Sequence, residues 1–204
     1  MSRNTIALAM TGASGAPYGL RLLECLLQAQ EQVSVMISQP AQIVIATETE
    51  FKLSGSAQTM EQQLTAHFNA HPGQLRVYGK DQWTAPLASG SNAPRAMVVC
   101  PCTSSTLSAI ACGASNSLLE RAADVVLKER RPLILVHRET PLSVIHLENM
   151  LKLAQMGVTI LPANPGFYHR PQTAAELVDF IVARILDHLN VDHQLLTRWG
   201  EHDS

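Results

Sequence analysis

Short unbroken apolar runs alternate along this chain with longer stretches in which apolar residues recur every three or four positions. The runs cover residues 6–10, 33–38, 75–78, 96–100, 132–137 and 158–161. They are continuous rather than alternating, as strands covered on both faces must be. Helical patterning covers residues 17–28, 40–49, 60–68, 104–111, 117–130, 143–155 and 174–189. Strand and helix alternating from end to end predict an α/β fold, a doubly wound and mostly parallel sheet of about six strands with helices on both faces. Two segments stand outside this scheme. Residues 52–58 are polar and read as a loop. Residues 84–96, TAPLASGSNAPRA, are rich in small residues, proline and glycine, and predict an exposed, mobile connection. There is no internal repeat.

Composition narrows the picture. With 204 residues and 46% hydrophobic content, the chain suits one domain spanning residues 1–204 with a sizeable core. Its C-terminal segment, 190–204, is expected to pack on the site or on a neighbouring subunit. A net charge of −2 provides no global basic field for nucleic acid or an anionic membrane, so any attraction for phosphate is local. The apolar run after Arg3 ends at Thr11 and Gly12, too short for a signal sequence, and no segment has the roughly 18 apolar residues of a membrane span. A cytoplasmic protein is expected. The 4 cysteines form no CxxC pair, and the 8 histidines form neither HxxxH nor HExxH. Reduced, mostly buried thiols and no metal site follow.

In a parallel sheet, ligands gather where loops leave the carboxyl ends of the strands. After the first run comes Thr11-Gly12-Ala13-Ser14-Gly15 at a helix start. It lacks the Lys-Ser/Thr of a Walker loop and the spacing of GxGxxG, yet its amides and hydroxyl suit an anion or polar ring. A tight turn needing only flexible backbone has the same pattern. Ser38 follows the second run, where a dinucleotide site needs an acidic residue for the ribose. Tyr18, Tyr78 and Tyr168 are followed four positions on by Leu22, Gln82 and Gln172, so a Tyr-xxx-Lys dehydrogenase pair is absent. Thr103, Ser104, Ser105 and Thr106 follow the fourth run. Capping needs one such hydroxyl, and four in a row point to a mononucleotide phosphate.

Arg121 and Lys128 share one helix face, with Asp124 spaced to pair with either; solvated surface charge is the competing reading. Arg138 and Glu139 leave the fifth run as either an ion pair or a proton-handling site beside a phosphate ester. A loop stiffened by prolines displays Phe167, Tyr168, His169 and Arg170, which reads as a lid over an apolar or planar ligand. Arg184 on the last helix is a further candidate for a phosphate, with solvated surface charge as the competing reading.

Several stretches together resemble the UbiX family of flavin prenyltransferases: TGASGAPYGLRLL, ATETEF, ASGS, CPCTSSTLS, ERAADVVLKERRPLILVHRETPL, HLENMLKL, PANPGFYHRPQ and a late RW. They run from about residue 5 to residue 199, with residues 52–85 matching least. The resemblance implies a Rossmann-like flavoprotein. Its reduced FMN accepts, at N5 and then C6, the dimethylallyl group of dimethylallyl monophosphate without a metal. Prenylated FMN is then delivered to a UbiD-type decarboxylase in ubiquinone synthesis or aromatic-acid metabolism. Carried across, Gly12, Ala13, Ser14, Ser38, Thr103, Ser104, Ser105, Thr106 and Arg138 hold FMN, with Ser14 close to N5. Arg121, Lys128, Tyr168 and Arg184 hold the prenyl phosphate. Glu48 and Glu139 manage protons, Glu139 beside the substrate. Ser89, Gly90 and Ser91 close the site from a neighbouring subunit, Trp199 covers it, and the family commonly forms dodecamers. Bond-breaking chemistry agrees: a departing phosphate without a magnesium clamp needs cations aimed at it, which Arg121, Lys128 and Arg184 supply. The alternatives are an FMN-dependent decarboxylase and a non-catalytic flavin carrier. The related decarboxylases use a histidine near the second helix, and residues 41–50 contain none.

Overall fold

A computed structural model describes residues 4–196. The strands are β1 Thr5–Met10, β2 Gln32–Ile37, β3 Leu75–Tyr78, β4 Ala96–Cys102, β5 Leu133–His137 and β6 Thr159–Ile160. They form one sheet in the order β3-β2-β1-β4-β5-β6, parallel at every pairing. The helices are α1 Ala16–Gln28, α2 Gln39–Glu48, α3 Ala57–Phe68, α4 Ser104–Cys112, α5 Leu118–Lys128, α6 Val144–Gln155 and α7 Ala174–Leu189. None among the described residues is long and apolar enough to cross a membrane.

The strand side chains divide between two cores, as period-two geometry requires. Ile6, Leu8 and Val35 face a layer made by α1, α7, α2 and α3. Ala7, Ala9 and Val99 face the opposite layer, containing α4, α5 and α6. Full burial of a leucine such as Leu22 or Leu118 contributes about 1.5–3 kcal/mol, and the cores hold many such side chains.

The chain crosses from β3 to β4 without an α-helix. Residues 84–96 were expected to be an exposed connection, and here the structure differs. Ala85 and Leu87 are buried in the second core against the sheet, Ala93 is also buried, and two short 3-10 turns, Pro86–Ala88 and Gly90–Asn92, shape the path. Small residues serve this purpose because they let backbone lie close against Ala7, Ala9 and Met36 of β1 and β2.

Six helices start at a Ser or Thr whose side chain accepts an N–H of the first turn: Ser38, Ser56, Thr103, Ser117, Ser143 and Thr173. The exception is α1, whose cap Gly15 is left-handed with φ of 117° and has no side chain to offer. Glu48, the last residue of α2, supplies the missing acceptor: its Oε2 takes the Gly15 and Ala16 N–H groups at 2.9 and 2.8 Å. This contact ties α1 to α2 at the carboxyl edge of the sheet.

Candidate functional site

A cleft of about 610 Å3 opens at that carboxyl edge. It lies beside β1, where the strand order reverses toward β4, the place where open α/β sheets bind ligands. Its wall includes Thr11 after β1, Ser38 after β2, Tyr78 at the end of β3, and Ser105 and Thr106 after β4. The first residues of α2, α4 and α5 all reach it, so three helix N-termini direct their positive ends inward. Thr11 braces the floor: its hydroxyl donates to the Pro101 carbonyl at 2.7 Å and accepts the Thr103 N–H at 2.9 Å. The least matched part of the chain contributes as well, through Gly55, Ala57, Met60 and Lys80.

The four hydroxyls after β4 have separate duties. Thr103 caps α4 and donates to Thr106 Oγ1 at 2.9 Å. Ser104 Oγ donates to Glu139 Oε2 at 2.9 Å and lies 3.1 Å from His137 Nε2. The Ser105 hydroxyl has no partner among the described residues and faces the cleft. It is the one unengaged hydroxyl of the four.

The glycine-rich turn differs from its expected role as an open anion site. Glu48 already occupies the Gly15 and Ala16 amides, which leaves the Gly12-Ala13-Ser14 portion for a ligand. Gly12 must be glycine, because a Cβ there would collide with the Cβ of Pro40. Arg138 Nε donates to the Ser14 carbonyl at 3.3 Å, linking the turn to the end of β5. Glu139 is held below the usual carboxylate range, first by the Ser104 hydrogen bond and then by the Thr140 N–H, His146 and Arg138. Ser14, Glu48, Arg138, Glu139 and Ser104 therefore form one connected group at the carboxyl edge of the sheet, next to the residues that line the cleft but not among them.

The expected phosphate cations lie elsewhere. Helix α5 starts at the carboxyl edge, where the Leu118 N–H donates to the Lys80 carbonyl, and ends at Lys128 near the start of β5. Eleven helical residues span about 16 Å, which carries Lys128 to the amino edge. There it pairs with Glu129 at 2.6 Å, directly beneath Gly90. Arg121 donates from Nε to the Ala88 carbonyl at 3.1 Å and pairs with Asp124 at 2.7 Å. The structure thus joins Arg121 and Lys128 to the segment 88–90, and places Lys128 at the edge of the sheet opposite Ser14. Tyr168 is 79% exposed beside Phe167, which is 70% exposed. Arg184 pairs with Asp187 at 2.8 Å on α7. Trp199 lies outside the described residues.

One residue behind the Glu139 group escaped the pattern reading. His137 ends the apolar β5, only 2% exposed, and contacts Ser104. A single polar residue closing a fully buried strand, one position before Arg138, is the signal that marks it.

An α/β domain with a cleft at its switch point, rimmed by helix N-termini and hydroxyls and with Ser38 in place of an acid after β2, suits a mononucleotide ligand better than a dinucleotide. The flavoprotein family profile matches residues 1–186. The flavin prenyltransferase UbiX of Pseudomonas aeruginosa is 61% identical over 196 residues, covering 96% of this chain and 94% of that protein. A solved structure of AnUbiX (PadA1) in complex with FMN and dimethylallyl pyrophosphate superposes with a TM-score of 0.87 at 36% identity, over 98% of this chain and 100% of that one. A dodecameric FMN-dependent UbiX-like decarboxylase from Escherichia coli O157:H7 superposes with a TM-score of 0.85 at 37% identity, over 96% and 99%. The chain belongs to the UbiX family of flavoproteins.

Proposed function

We propose that the protein is a flavin prenyltransferase, joining the dimethylallyl group of dimethylallyl monophosphate to N5 and C6 of reduced FMN. The observation that carries this reading is the cleft rimmed by three helix N-termini, in a chain 61% identical to an enzyme of that name. Reduced FMN, when bound, supplies the electron-rich ring atoms that accept the allyl group. Ser105, Thr106 and the α4 amides hold its phosphate, Ser38 and the Gly12-Ala13-Ser14 turn hold the ring, and Arg138 fixes Ser14. Glu48 anchors the turn through its two amide contacts. Glu139 takes and returns protons at the reacting end.

Cleavage of the allylic C–O bond leaves negative charge on the phosphate. Arg121, Lys128 and Arg184, with the Tyr168 hydroxyl, hold that charge. Lys128 and Ser14 lie at opposite edges of one chain's sheet, so this cluster reaches the flavin of another subunit, bringing Ser89 and Gly90 with it. Assembly as a dodecamer provides that contact. The product serves a UbiD-type decarboxylase. All four cysteines are free thiols, which fits a reducing cytoplasm.

Anaerobic incubation with reduced FMN and dimethylallyl monophosphate, followed by mass spectrometry of the extracted flavin, tests this. A gain of one prenyl unit is expected. Unchanged flavin on folded, FMN-loaded protein rejects the reading and favours a decarboxylase or a flavin carrier.

A further inference from the structure

We propose that His137 and Ser104 form a positioning chain for the Glu139 carboxylate, and that Ser104 belongs to this chain instead of the phosphate cradle. The inference rests on the role given to Glu139 above.

The argument begins with hydrogen counting. Ser104 has one hydroxyl hydrogen and two neighbours, Glu139 Oε2 at 2.9 Å and His137 Nε2 at 3.1 Å. An ionised carboxylate only accepts, so the hydrogen goes to Glu139. His137 Nε2 must then carry a hydrogen and donate it to Ser104 Oγ, which assigns the imidazole tautomer. Both bonding directions of Ser104 are thereby used, and a phosphate oxygen would have to break one of them.

The ring is placed by the sheet. His137 lies opposite Cys102 of β4, the Arg138 N–H donates to the Cys102 carbonyl at 3.3 Å, and the His137 carbonyl accepts the Ala163 N–H at 3.0 Å. The charged and titratable groups around it are Arg138 and Glu139 on its own segment, the Cys102 thiol on β4, and His146 on α6. The His146 ring centroid is 6.0 Å away. Burial, His146 and Arg138 favour the neutral ring over the opposing pull of Glu139. A neutral ring with its hydrogen on Nε2 is a fixed donor. It polarises the Ser104 hydroxyl toward the carboxylate and deters that hydroxyl from turning away. The arrangement resembles a carboxylate held by a rigid outer layer of hydrogen bonds.

Two measurements test the chain. Fluorescence titration of FMN gives binding: Ser104→Ala keeps FMN affinity within about twofold, whereas Ser105→Ala weakens it roughly tenfold, the size of one lost hydrogen bond to a charged group. Infrared difference titration, each protein against its Glu139→Gln counterpart, gives the pH at which Glu139 protonates. That midpoint moves up in Ser104→Ala and by part of that amount in His137→Leu. The double variant matches Ser104→Ala alone, because His137 acts only through Ser104. His137→Gln, which retains an N–H donor, restores the midpoint, and a misfolded His137→Leu would leave this rescue as the deciding comparison. Additive shifts, an unmoved midpoint in Ser104→Ala, or FMN loss in Ser104→Ala equal to that in Ser105→Ala would overturn the proposal. If the infrared pattern holds while Glu139→Gln transfers prenyl groups at the wild-type rate, the chain stands and the role given to Glu139 falls.

Discussion

At the scale of single residues, two positions show how local chemistry limits the site. Gly90 sits against the Lys128–Glu129 pair: a Cβ would overlap Glu129 Oε1 and approach Lys128 Nζ to 2.7 Å. Both are ends of flexible side chains, so Gly90→Ala displaces the pair without strain in the backbone. Thermal unfolding should therefore change by less than about 1 kcal/mol, as for a surface substitution. Prenyl transfer should fall roughly tenfold, because the lysine no longer points where a phosphate needs it. Wild-type turnover in Gly90→Ala would show that this pair's position is irrelevant. The second position is His137. Its folded pKa is depressed below 6.5, chiefly by burial. The unfolded chain then binds more protons just below that value, so stability is complete above pH 6.5 and is lost as pH falls through the window beneath it. Melting temperatures recorded on either side should show a smaller acid loss for His137→Gln than for wild type. Equal losses would mean that the buried ring is not the group being titrated.

Elements explain why the rim is rigid. Six of the helices carry their own hydroxyl cap, whereas α1 borrows Glu48 from the far end of α2. Losing a side-chain cap costs about 1 kcal/mol, and a carboxylate also favours the positive end of the helix. Glu48→Ala should therefore lower the melting temperature, with Glu48→Gln falling between it and wild type; an unchanged melt in both would refute the borrowed cap. The elements themselves were legible in the sequence. All six strands and seven helices lie where apolar runs and helical periodicity place them; β1, β4 and β5 are buried almost throughout, whereas β3 at the sheet edge alternates, with Arg76 exposed. Boundaries moved where the pattern is silent. Helix α3 begins at Ala57 because Ser56 caps a first turn with little apolar content. Strand β4 runs on through Pro101 to Cys102, where the Pro101 carbonyl still accepts from Thr11. The strand-end placement of Ser14, Ser38, Thr103 to Thr106, Arg138 and Glu139 was legible for the same reason. Contacts such as Glu48 with α1 and His137 with Ser104 were not, since they join residues 32 and 33 positions apart through tertiary packing. Arg121 and Lys128 share a helix face, as spacing predicts. Periodicity says which face a residue occupies but not which edge of the sheet it reaches.

At the scale of the whole molecule, that edge decides the assembly. The Glu139 group lies at the carboxyl edge and Lys128 at the amino edge, so the site in the proposed function requires a second copy. The surface agrees. Helix α6 and the turn before it expose Leu142, Val144, Ile145, Leu147 and Leu151, with Val144 at 69% and Ile145 at 66%. An apolar stripe of this kind on one helix marks an interaction surface. It begins three residues after Glu139, so a subunit seated there lies next to the rim. A mixing experiment reads this arrangement directly. Lys128→Ala and Glu139→Gln should each be nearly inactive as homo-oligomers. If every site takes its lysine from one subunit and its glutamate from another, co-assembly at equal amounts leaves both groups intact in about a quarter of the sites. Activity should therefore reappear at about that fraction of wild type after the two variants are dissociated and reassembled together, and stay absent when they are merely mixed intact. No recovery on reassembly, with oligomer size confirmed by sedimentation, would place Lys128 and Glu139 in the same chain's site and contradict the edge-to-edge geometry described above. Ile145→Asp supplies the independent control. A charge in the α6 stripe should break the oligomer and abolish transfer while the single chain keeps its helical signal.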